Sequence, residues 1–160
     1  MKLTLNLGCG ERTFKEYPEG YICINYDERP DLSEITTIGD VKRLPFTDKC
    51  FDYVLASDII EHFPISFTER LLREWCRVLV PGGIIEFRTP NLKWCAQHYL
   101  LTGDASFVSY HIFGGQDYAG NFHFVIFDRK WLKELLTKHN LFEISYEENG
   151  SNFIMKARKN

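Results

Sequence analysis

The sequence predicts an α/β fold in which a mostly parallel β-sheet ends with one antiparallel strand. The first half of the chain alternates short apolar runs with connections and helical patterns, which is typical of parallel sheets. The chain then closes with two alternating apolar runs joined by Asn149-Gly150, a strong hairpin signal. With 160 residues and a hydrophobic fraction of 44%, residues 1–160 are expected to form a single domain.

The first two strands are predicted at residues 2–7 and 21–26, which are rich in apolar side chains. Beyond the glycine-containing break at 8–10, only residues 11–20 connect them. A parallel crossover usually needs about a dozen residues or more and commonly contains a helix. The first crossover helix is therefore expected to be reduced or absent.

The central part of the chain predicts a buried strand followed by an amphipathic helix. The strand is expected at 51–56, and the helix at 66–79 with a capping box formed by Ser66 and Glu69. The other elements are a short edge strand at 34–38, a turn at Pro81-Gly82-Gly83, a strand at 83–88, a helix at 90–101, a Gly- and aromatic-rich loop at 102–127, a helix capped by Asp128, a strand at 141–147 and the return strand after Gly150.

Composition excludes several classes of function. The net charge of −3 and the lack of a basic run argue against nucleic-acid binding. No apolar stretch approaches the roughly 20 residues that cross a bilayer, and the N-terminus leaves no room for a signal peptide, so neither a membrane span nor export is expected. The five cysteines form no C-x-x-C pair and are expected to be reduced thiols in a cytoplasmic protein. The histidines show no ligand spacing, so no metal site is expected.

The glycines after the first strand and the acid after the second point to a nucleotide-like ligand. Gly8 and Gly10 let the backbone approach a ligand closely, because glycine has no Cβ and tolerates positive φ. Asp27 ends the second strand, where a carboxylate can accept hydrogen bonds from both hydroxyls of a ribose. A dehydrogenase would need a third glycine at the position of Thr13, followed by a helix that binds a pyrophosphate. A nucleoside-containing cofactor without a pyrophosphate is therefore favoured.

Several short motifs then occur in a definite order between residue 3 and about residue 90. They are Leu-Asn-Leu-Gly-Cys-Gly at 5–10, Asp27, Gly39-Asp40-Val41, Leu44-Pro45-Phe46, Phe51-Asp52-Tyr53-Val54, Glu61-His62, and 77–83 with Pro81-Gly82-Gly83. In this order and spacing the sequence resembles class I S-adenosylmethionine-dependent methyltransferases. The resemblance implies a Rossmann-like seven-stranded sheet with an antiparallel last strand, and S-adenosylmethionine as cofactor.

The resemblance also implies roles for individual residues. Gly8, Cys9 and Gly10 would lie against the methionine part of the cofactor, Asp27 with Glu28 would hold the ribose, Asp40 and Val41 would frame the adenine, and Ser57 would face the amino group. The sequence departs from the family pattern at Asn6, where an Asp is common, and at Glu11-Arg12, where a third glycine is usual.

Catalytic candidates are the polar residues expected near the methyl group. Glu61 and His62 match a pair at the start of the helix after the fourth strand, and His111, Asp117 and His123 lie in the 102–127 loop, which is expected to cover the acceptor site. An acceptor must lose a proton, so His62, His111 or His123 is expected to act as base, with Asp117 as an orienting group.

The predicted function is methyl transfer to a small acceptor that carries a hydroxyl or an amine, with a sugar derivative as one such acceptor. The alternative is a non-catalytic cofactor-binding module that acts with a partner protein. Exposed aromatic residues and an edge strand also suggest a homodimer.

Overall fold

The structure is built on one seven-stranded sheet. The computed structural model describes residues 1–32, 34–118 and 120–160. The strands are β1 (Lys2–Leu7), β2 (Tyr21–Asp27), β3 (Thr37–Ile38), β4 (Phe51–Ser57), β5 (Leu79–Pro90), β6 (Leu141–Asn149) and β7 (Asn152–Lys159), in the spatial order β3-β2-β1-β4-β5-β7-β6. Strands β1 to β5 pair in parallel, and β7 pairs antiparallel with both β5 and β6. The predicted α/β fold with one reversed strand is confirmed.

The connection between β1 and β2 contains no helix in residues 8–20, all of which lie in the described part of the chain. Side chains hold it against the sheet instead. Thr4 donates a hydrogen bond to the carbonyl of Tyr17, and the Tyr17 hydroxyl donates to Glu86 at 2.8 Å. Asn6, buried in β1, donates to the carbonyl of Arg12 at 2.8 Å. The expectation of a reduced or absent first crossover helix is confirmed, and Asn6 fixes this short connection.

The described part of the chain forms four α-helices beside the sheet: α1 (Ile65–Val78), α2 (Leu92–Thr102), α3 (Ala105–Phe113) and α4 (Arg129–Thr137). Helix α1 buries Leu71, Leu72, Trp75 and Val78 at helical spacing, and these side chains join the core formed with the central strands. Burying a large apolar side chain contributes roughly 1.5–3 kcal/mol. This face therefore anchors α1 and the loops that α1 contacts.

Two local predictions are wrong. The capping box of Ser66 and Glu69 does not form, because α1 begins one residue earlier with Pro64 as N-cap, whose carbonyl accepts from the backbone N–H of Phe67 at 2.8 Å. The 102–127 segment is not a loop throughout, because α3 occupies Ala105–Phe113 and is capped by the Asp104 side chain.

The strand β5 begins earlier than predicted, at Leu79. Its pairing with β4 shifts register between Phe51 and Tyr53, and Gly82 takes φ +78° there. The predicted turn at 81–83 is therefore an irregularity inside a longer strand. Such irregularities increase local twist without ending the pairing.

The described ranges contain no helix that is long and apolar enough to cross a membrane. All five cysteines are free thiols, and three of them, Cys9, Cys23 and Cys95, are buried.

Candidate active site

The carboxyl ends of β1 and β2 meet at the glycine-containing break predicted from the sequence. Gly8 and Gly10 adopt φ +57° and +55°, a region that side-chain-bearing residues rarely occupy. A Cβ on Gly8 would meet Cδ1 of Ile59, so a side chain at this position would force the end of Ile59 to move. Between them lies Cys9, whose thiol is buried, and burial raises its pKa to about 11. The thiol is therefore protonated near neutral pH and lies in the wall of the site.

Asp27 anchors this end of the site. Its carboxylate is 3% exposed and accepts from the backbone N–H of Gly10 at 2.8 Å. It also accepts from the backbone N–H and the Nε of Arg29, both at 3.0 Å, and from Nη2 of Arg29 at 3.3 Å. Burial alone would raise the pKa of Asp27, but the hydrogen bonds from Arg29 and Gly10 outweigh burial and hold that pKa below its ordinary value. Asp27 is a buried, ionised acceptor.

The segment after β3 is held in place by α1. The indole Nε1 of Trp75 donates to the carbonyl of Val41 at 3.0 Å, and Glu74 accepts from the backbone N–H of Leu44 at 2.8 Å. Val41 is buried and lines the cleft. Asp40 is half exposed, accepts from the backbone N–H of Lys42 at 2.8 Å, and forms an ion pair with that lysine. The cleft wall here consists of Gly39, Val41 and Lys42, and Asp40 is not part of it.

These parts surround a cleft with about 740 Å³ of empty space, part of which is open to solvent. Its lining includes Gly8, Asp27, Glu28, Arg29, Gly39, Val41, Lys42, Asp58, Ile59, His62, Phe63, Tyr118 and Gly120. A smaller hollow adjoins it through Gly8, Arg29, Asp58 and Tyr118 and is also lined by Cys9 and Ser57. Of the residues predicted to bind the cofactor, Gly10 and Asp40 line neither the cleft nor the hollow. The others do: Gly8, Cys9, Asp27, Glu28, Val41 and Ser57.

Glu61 lies next to His62, which lines the cleft, in a short 3₁₀ helix at Ile60–His62. It is fully buried, and its Oε2 accepts from the hydroxyl of Thr89 at 3.1 Å. Its Oε1 is buried and has no hydrogen-bond partner among the described residues. Burial, followed by the charge of Asp58, raises the pKa of Glu61 to about 8. This carboxyl is therefore largely protonated at neutral pH.

His62 and His123 stand next to Glu61. Their ring centroids lie 4.7 Å apart with the rings nearly perpendicular. Nδ1 of His62 lies 3.1 Å from the carbonyl oxygen of Phe122, and Nδ1 of His123 lies 2.9 Å from that of His111. Burial lowers the pKa of both imidazoles, and the proximity of His123 lowers that of His62 further. Both rings are therefore neutral near pH 7.

The carbonyl of Glu61 holds the cover segment, defined as residues 102–127, in place. The backbone N–H of Phe124 donates to this carbonyl at 2.8 Å. Together with the hydrogen bonds that Phe122 and His111 make, this contact brings His123 to His62 across about sixty residues of chain. Ala119, within the predicted cover, lies outside the described residues.

The other two catalytic candidates lie away from this pair. The His111 side chain bonds to the carbonyl of Phe107 at 2.9 Å and packs on Phe107 and Trp94, whereas its own carbonyl accepts from His123. Asp117 is exposed and accepts from Asn121 at 2.6 Å. Neither side chain lines the cleft in the described part of the chain.

Sequence reasoning missed two charged residues of the site. Arg29 pairs with Asp27, and its guanidinium lies 5.9 Å from the ring centroid of Tyr118 in the cover segment. Asp58 takes φ +52°, is paired with Arg88, and accepts from Asn152 at 2.7 Å. A non-glycine residue with positive φ often marks a functional site, but this signal exists only in the folded chain.

Comparison with known proteins identifies the family. The family model of the methyltransferase domain matches residues 5–87, slightly more than half of the chain. The chain belongs to this methyltransferase family. A search of curated proteins found no significant match to the sequence.

Solved structures share the fold of this methyltransferase. An S-adenosylmethionine-dependent methyltransferase of Methanosarcina mazei is 20% identical, with 98% of this chain and 92% of that one covered and a TM-score of 0.70. The 1,6-didemethyltoxoflavin-N1-methyltransferase of Burkholderia thailandensis, with bound 1,6-didemethyltoxoflavin and S-adenosylhomocysteine, is 15% identical, with 98% and 70% covered and a TM-score of 0.69. A methyltransferase-like protein of Haloferax volcanii in complex with the activator Trm112 is 12% identical, with 98% and 81% covered and a TM-score of 0.68.

The predicted fold, enzyme class and cofactor are confirmed: the protein is a class I methyltransferase with a Rossmann-like sheet, and its cofactor is S-adenosylmethionine. The residues of the cleft fit that cofactor. Asp27, a buried and ionised hydrogen-bond acceptor, ends β2, and Gly8 and Gly10 have no side chains that would keep a ligand away from the backbone.

Proposed function

We propose that this methyltransferase transfers a methyl group to a small acceptor bearing a hydroxyl or an amine, and that His62 or His123 takes the acceptor's proton. One observation carries the proposal. The cleft with the features of a cofactor site is lined at one end by His62, which contacts a second neutral imidazole. Cofactor, acceptor and proton acceptor can therefore meet in one cleft.

The cofactor supplies an electrophilic methyl group on a sulfonium. In the proposed arrangement Gly8, Cys9 and Gly10 lie against its methionine part, and Asp27 with Glu28 accepts from the ribose. Asp40 and Val41 frame the adenine at the rim, and Ser57 lies near the amino group. The exposure of Asp40 and its pairing with Lys42 make it the weakest of these contacts. Most of the acceleration is expected from positioning.

The hydrogen bonds of the two imidazoles favour them as bases. A nitrogen that faces a carbonyl must carry the proton, so each Nδ1 is a donor and each Nε2 keeps its lone pair. A base must be unprotonated before it acts, and the lowered pKa of both rings meets this condition. His111 would act mainly through its carbonyl, which orients His123, and Asp117 would hold the turn of the cover segment through Asn121.

The cover segment supports a small acceptor. Tyr118 and Gly120 close one side of the cleft, and Phe124 is tied to Glu61. The Burkholderia relative has a small heterocycle bound with S-adenosylhomocysteine, which agrees with an acceptor of this size. A sugar derivative remains one candidate acceptor.

The test is formation of S-adenosylhomocysteine from a panel of small hydroxylated and amine acceptors at saturating cofactor. His62→Ala and His123→Ala are expected to lower kcat at least tenfold, because general-base catalysis contributes typically 10²- to 10⁴-fold. His98→Ala is the control, because His98 stacks on Trp94 in α2 away from the cleft. Unchanged turnover in the His62, His111 and His123 variants would contradict the assignment of the base.

A partner protein is the second candidate explanation. The Haloferax relative was solved with the activator Trm112, and α2 of this chain exposes Tyr99, Leu100 and Leu101. If the chain is a module that requires a partner, it will bind S-adenosylhomocysteine but will methylate none of the panel until a cell extract is added. Turnover by the purified chain would exclude this alternative.

We also propose a cytoplasmic location and a homodimer. The free thiols agree with a reducing compartment, and the exposed edge at β3 and the exposed aromatic residues are surfaces that a second copy could cover. Sedimentation of the purified protein tests the dimer.

A further inference from the structure

We propose that Glu61, His62 and His123 form a binding site for one divalent transition-metal ion at the acceptor end of the cleft. Each residue offers one ligand atom, and the three atoms lie within 4.8 Å of one another. The assignment of this end to the acceptor rests on the proposed function, whereas ion binding itself can be measured without any turnover.

Glu61 supplies the first argument. Its side chain is fully buried, and only Oε2 has a hydrogen-bond donor, the hydroxyl of Thr89. Oε1 lacks a partner anywhere in residues 1–32, 34–118 and 120–160. A buried polar atom without a partner is costly and calls for an explanation, and a bound ion is one of the few available. A cation between Glu61 and the imidazoles would satisfy this oxygen.

The two histidines supply the second argument. Each Nδ1 is fixed by a backbone carbonyl, that of Phe122 for His62 and that of His111 for His123. Metal-binding histidines usually donate their second ring N–H to such an acceptor, which fixes the tautomer and the direction of the ring. With Nδ1 as the donor, Nε2 is the nitrogen of each ring that could bind an ion.

The donor set determines the kind of ion. Two imidazoles and one carboxylate suit Zn²⁺, Co²⁺ or Fe²⁺, whereas Mg²⁺ and Ca²⁺ prefer oxygen ligands. Zinc–nitrogen and zinc–oxygen distances are about 2.0–2.2 Å, so the ligand atoms would have to approach one another by roughly 1 Å on binding. Three protein ligands also leave at least one coordination position open, as in catalytic rather than structural sites.

The open position indicates an acceptor class. His62 lines the cleft, so the ion would be reached from the cleft side. With the ion bound, the Nε2 lone pairs of His62 and His123 would be occupied, so neither ring would act as the base. A coordinated hydroxyl would have a lowered pKa and would give its proton to solvent water instead. The resulting alkoxide oxygen keeps further lone pairs for attack, whereas a coordinated amine has used its only one. The ion therefore favours hydroxyl acceptors over amines.

Titration of the full-length, metal-free protein with Co²⁺, followed by visible absorption and by competition with Zn²⁺, tests the site. One ion per chain is expected to bind, with the absorption of nitrogen and oxygen ligation and without the thiolate charge-transfer bands that the cysteines would give. Glu61→Gln, His62→Asn and His123→Asn are each expected to weaken binding at least tenfold. His98→Asn, the matched change on α2, is expected to leave binding unchanged.

Nitrogen NMR of the unmutated protein provides a second readout that does not depend on variants folding. Zn²⁺ is expected to shift the Nε2 signals of two of the five histidines and to leave their Nδ1–H protons in place. Unshifted imidazoles, no saturable binding, or equal binding in all variants would overturn the proposal. S-adenosylhomocysteine affinity measured on the same metal-free samples separates the outcomes. Intact cofactor binding without ion binding contradicts only the metal site, whereas loss of cofactor binding contradicts the proposed function.

Discussion

The two ends of the cleft, to which we assign the cofactor and the acceptor by proposal, are built in different ways. At the cofactor end, Gly10 and Asp27 are separated by 17 positions and lie at the tips of adjacent strands. At the acceptor end, His62 contacts a carbonyl 60 positions away, and only the path of the cover segment brings the groups together. Strand order alone fixes the first end, whereas the second depends on how a long connection returns to the sheet.

The two ends also differ in how well their polar groups are satisfied. Asp27 accepts four hydrogen bonds, about the full capacity of a carboxylate, and remains ionised. Glu61 is more deeply buried, its pKa is raised to about 8, and one of its oxygens has no partner within the described ranges. At the cofactor end, the protein itself satisfies the hydrogen-bonding capacity of Asp27. At the acceptor end, Oε1 of Glu61 could still be satisfied by a ligand.

The largest change in cofactor affinity is expected when the carboxylate of Asp27 is removed. Asp27→Ala is expected to weaken S-adenosylhomocysteine binding about 100-fold, because hydrogen bonds to a charged group contribute about 1.5–3 kcal/mol each. Isothermal titration measures the change. Asp31→Ala is the matched control, because this exposed acid removes the same charge nearby without lining the cleft. Equal losses in the two variants would mean that Asp27 acts only through its charge.

A pair of glycine variants separates backbone strain from ligand contact. Gly10 and Gly150 have nearly the same φ, +55° and +59°, so the backbone strain of alanine should cost roughly 1–3 kcal/mol of stability at either position. A Cβ on Gly10 would also lie 3.0 Å from Nη2 of Arg29, whereas one on Gly150 would meet no other group. Only Gly10→Ala is expected to weaken S-adenosylhomocysteine binding, by about tenfold or 1.4 kcal/mol. Thermal unfolding and titration of both variants check the two halves of this prediction. If both variants bind the ligand normally, the backbone at Gly10 does not approach it.

Substitution of Arg29 is expected to strengthen cofactor binding, by a smaller factor. This side chain provides two of the four hydrogen bonds to Asp27, so ribose hydroxyls must compete with it. Arg29→Met is expected to tighten S-adenosylhomocysteine binding about fivefold, which corresponds to the roughly 1 kcal/mol of a typical hydrogen bond. Weaker binding in this variant would show that Arg29 helps to hold the cofactor rather than competing with it.

Much of the fold could be predicted because its signals are local. Alternating apolar residues gave β1, β2 and β4 nearly to the residue, and Asn149-Gly150 gave the hairpin that reverses β7. Helix α3 was missed because its hydrophobic residues do not form one stripe: Phe107, Tyr110 and Phe113 are exposed, and Val108 is its buried residue. The capping box failed because Pro64 begins the helix before Ser66 can.

The candidate site was predicted unevenly for the same reason. Gly8, Gly10 and Asp27 follow strands, so their meeting could be anticipated from topology. The sequence argument against a metal site relied on ligand spacing, which detects ligands within one element. Contacts of the cover segment bring together Glu61, His62 and His123. Sequence spacing cannot reveal ligands that a distant segment of the chain supplies. Arg29 and Asp58 belong to none of the sequence motifs, so their place in the site could not be predicted.

A crystal structure with S-adenosylhomocysteine bound tests the central claim most directly. The ribose hydroxyls are expected within about 3 Å of the Asp27 carboxylate, with the sulfur turned toward His62. A ligand bound elsewhere, or one whose ribose lies away from Asp27, would contradict the assignment of the cleft.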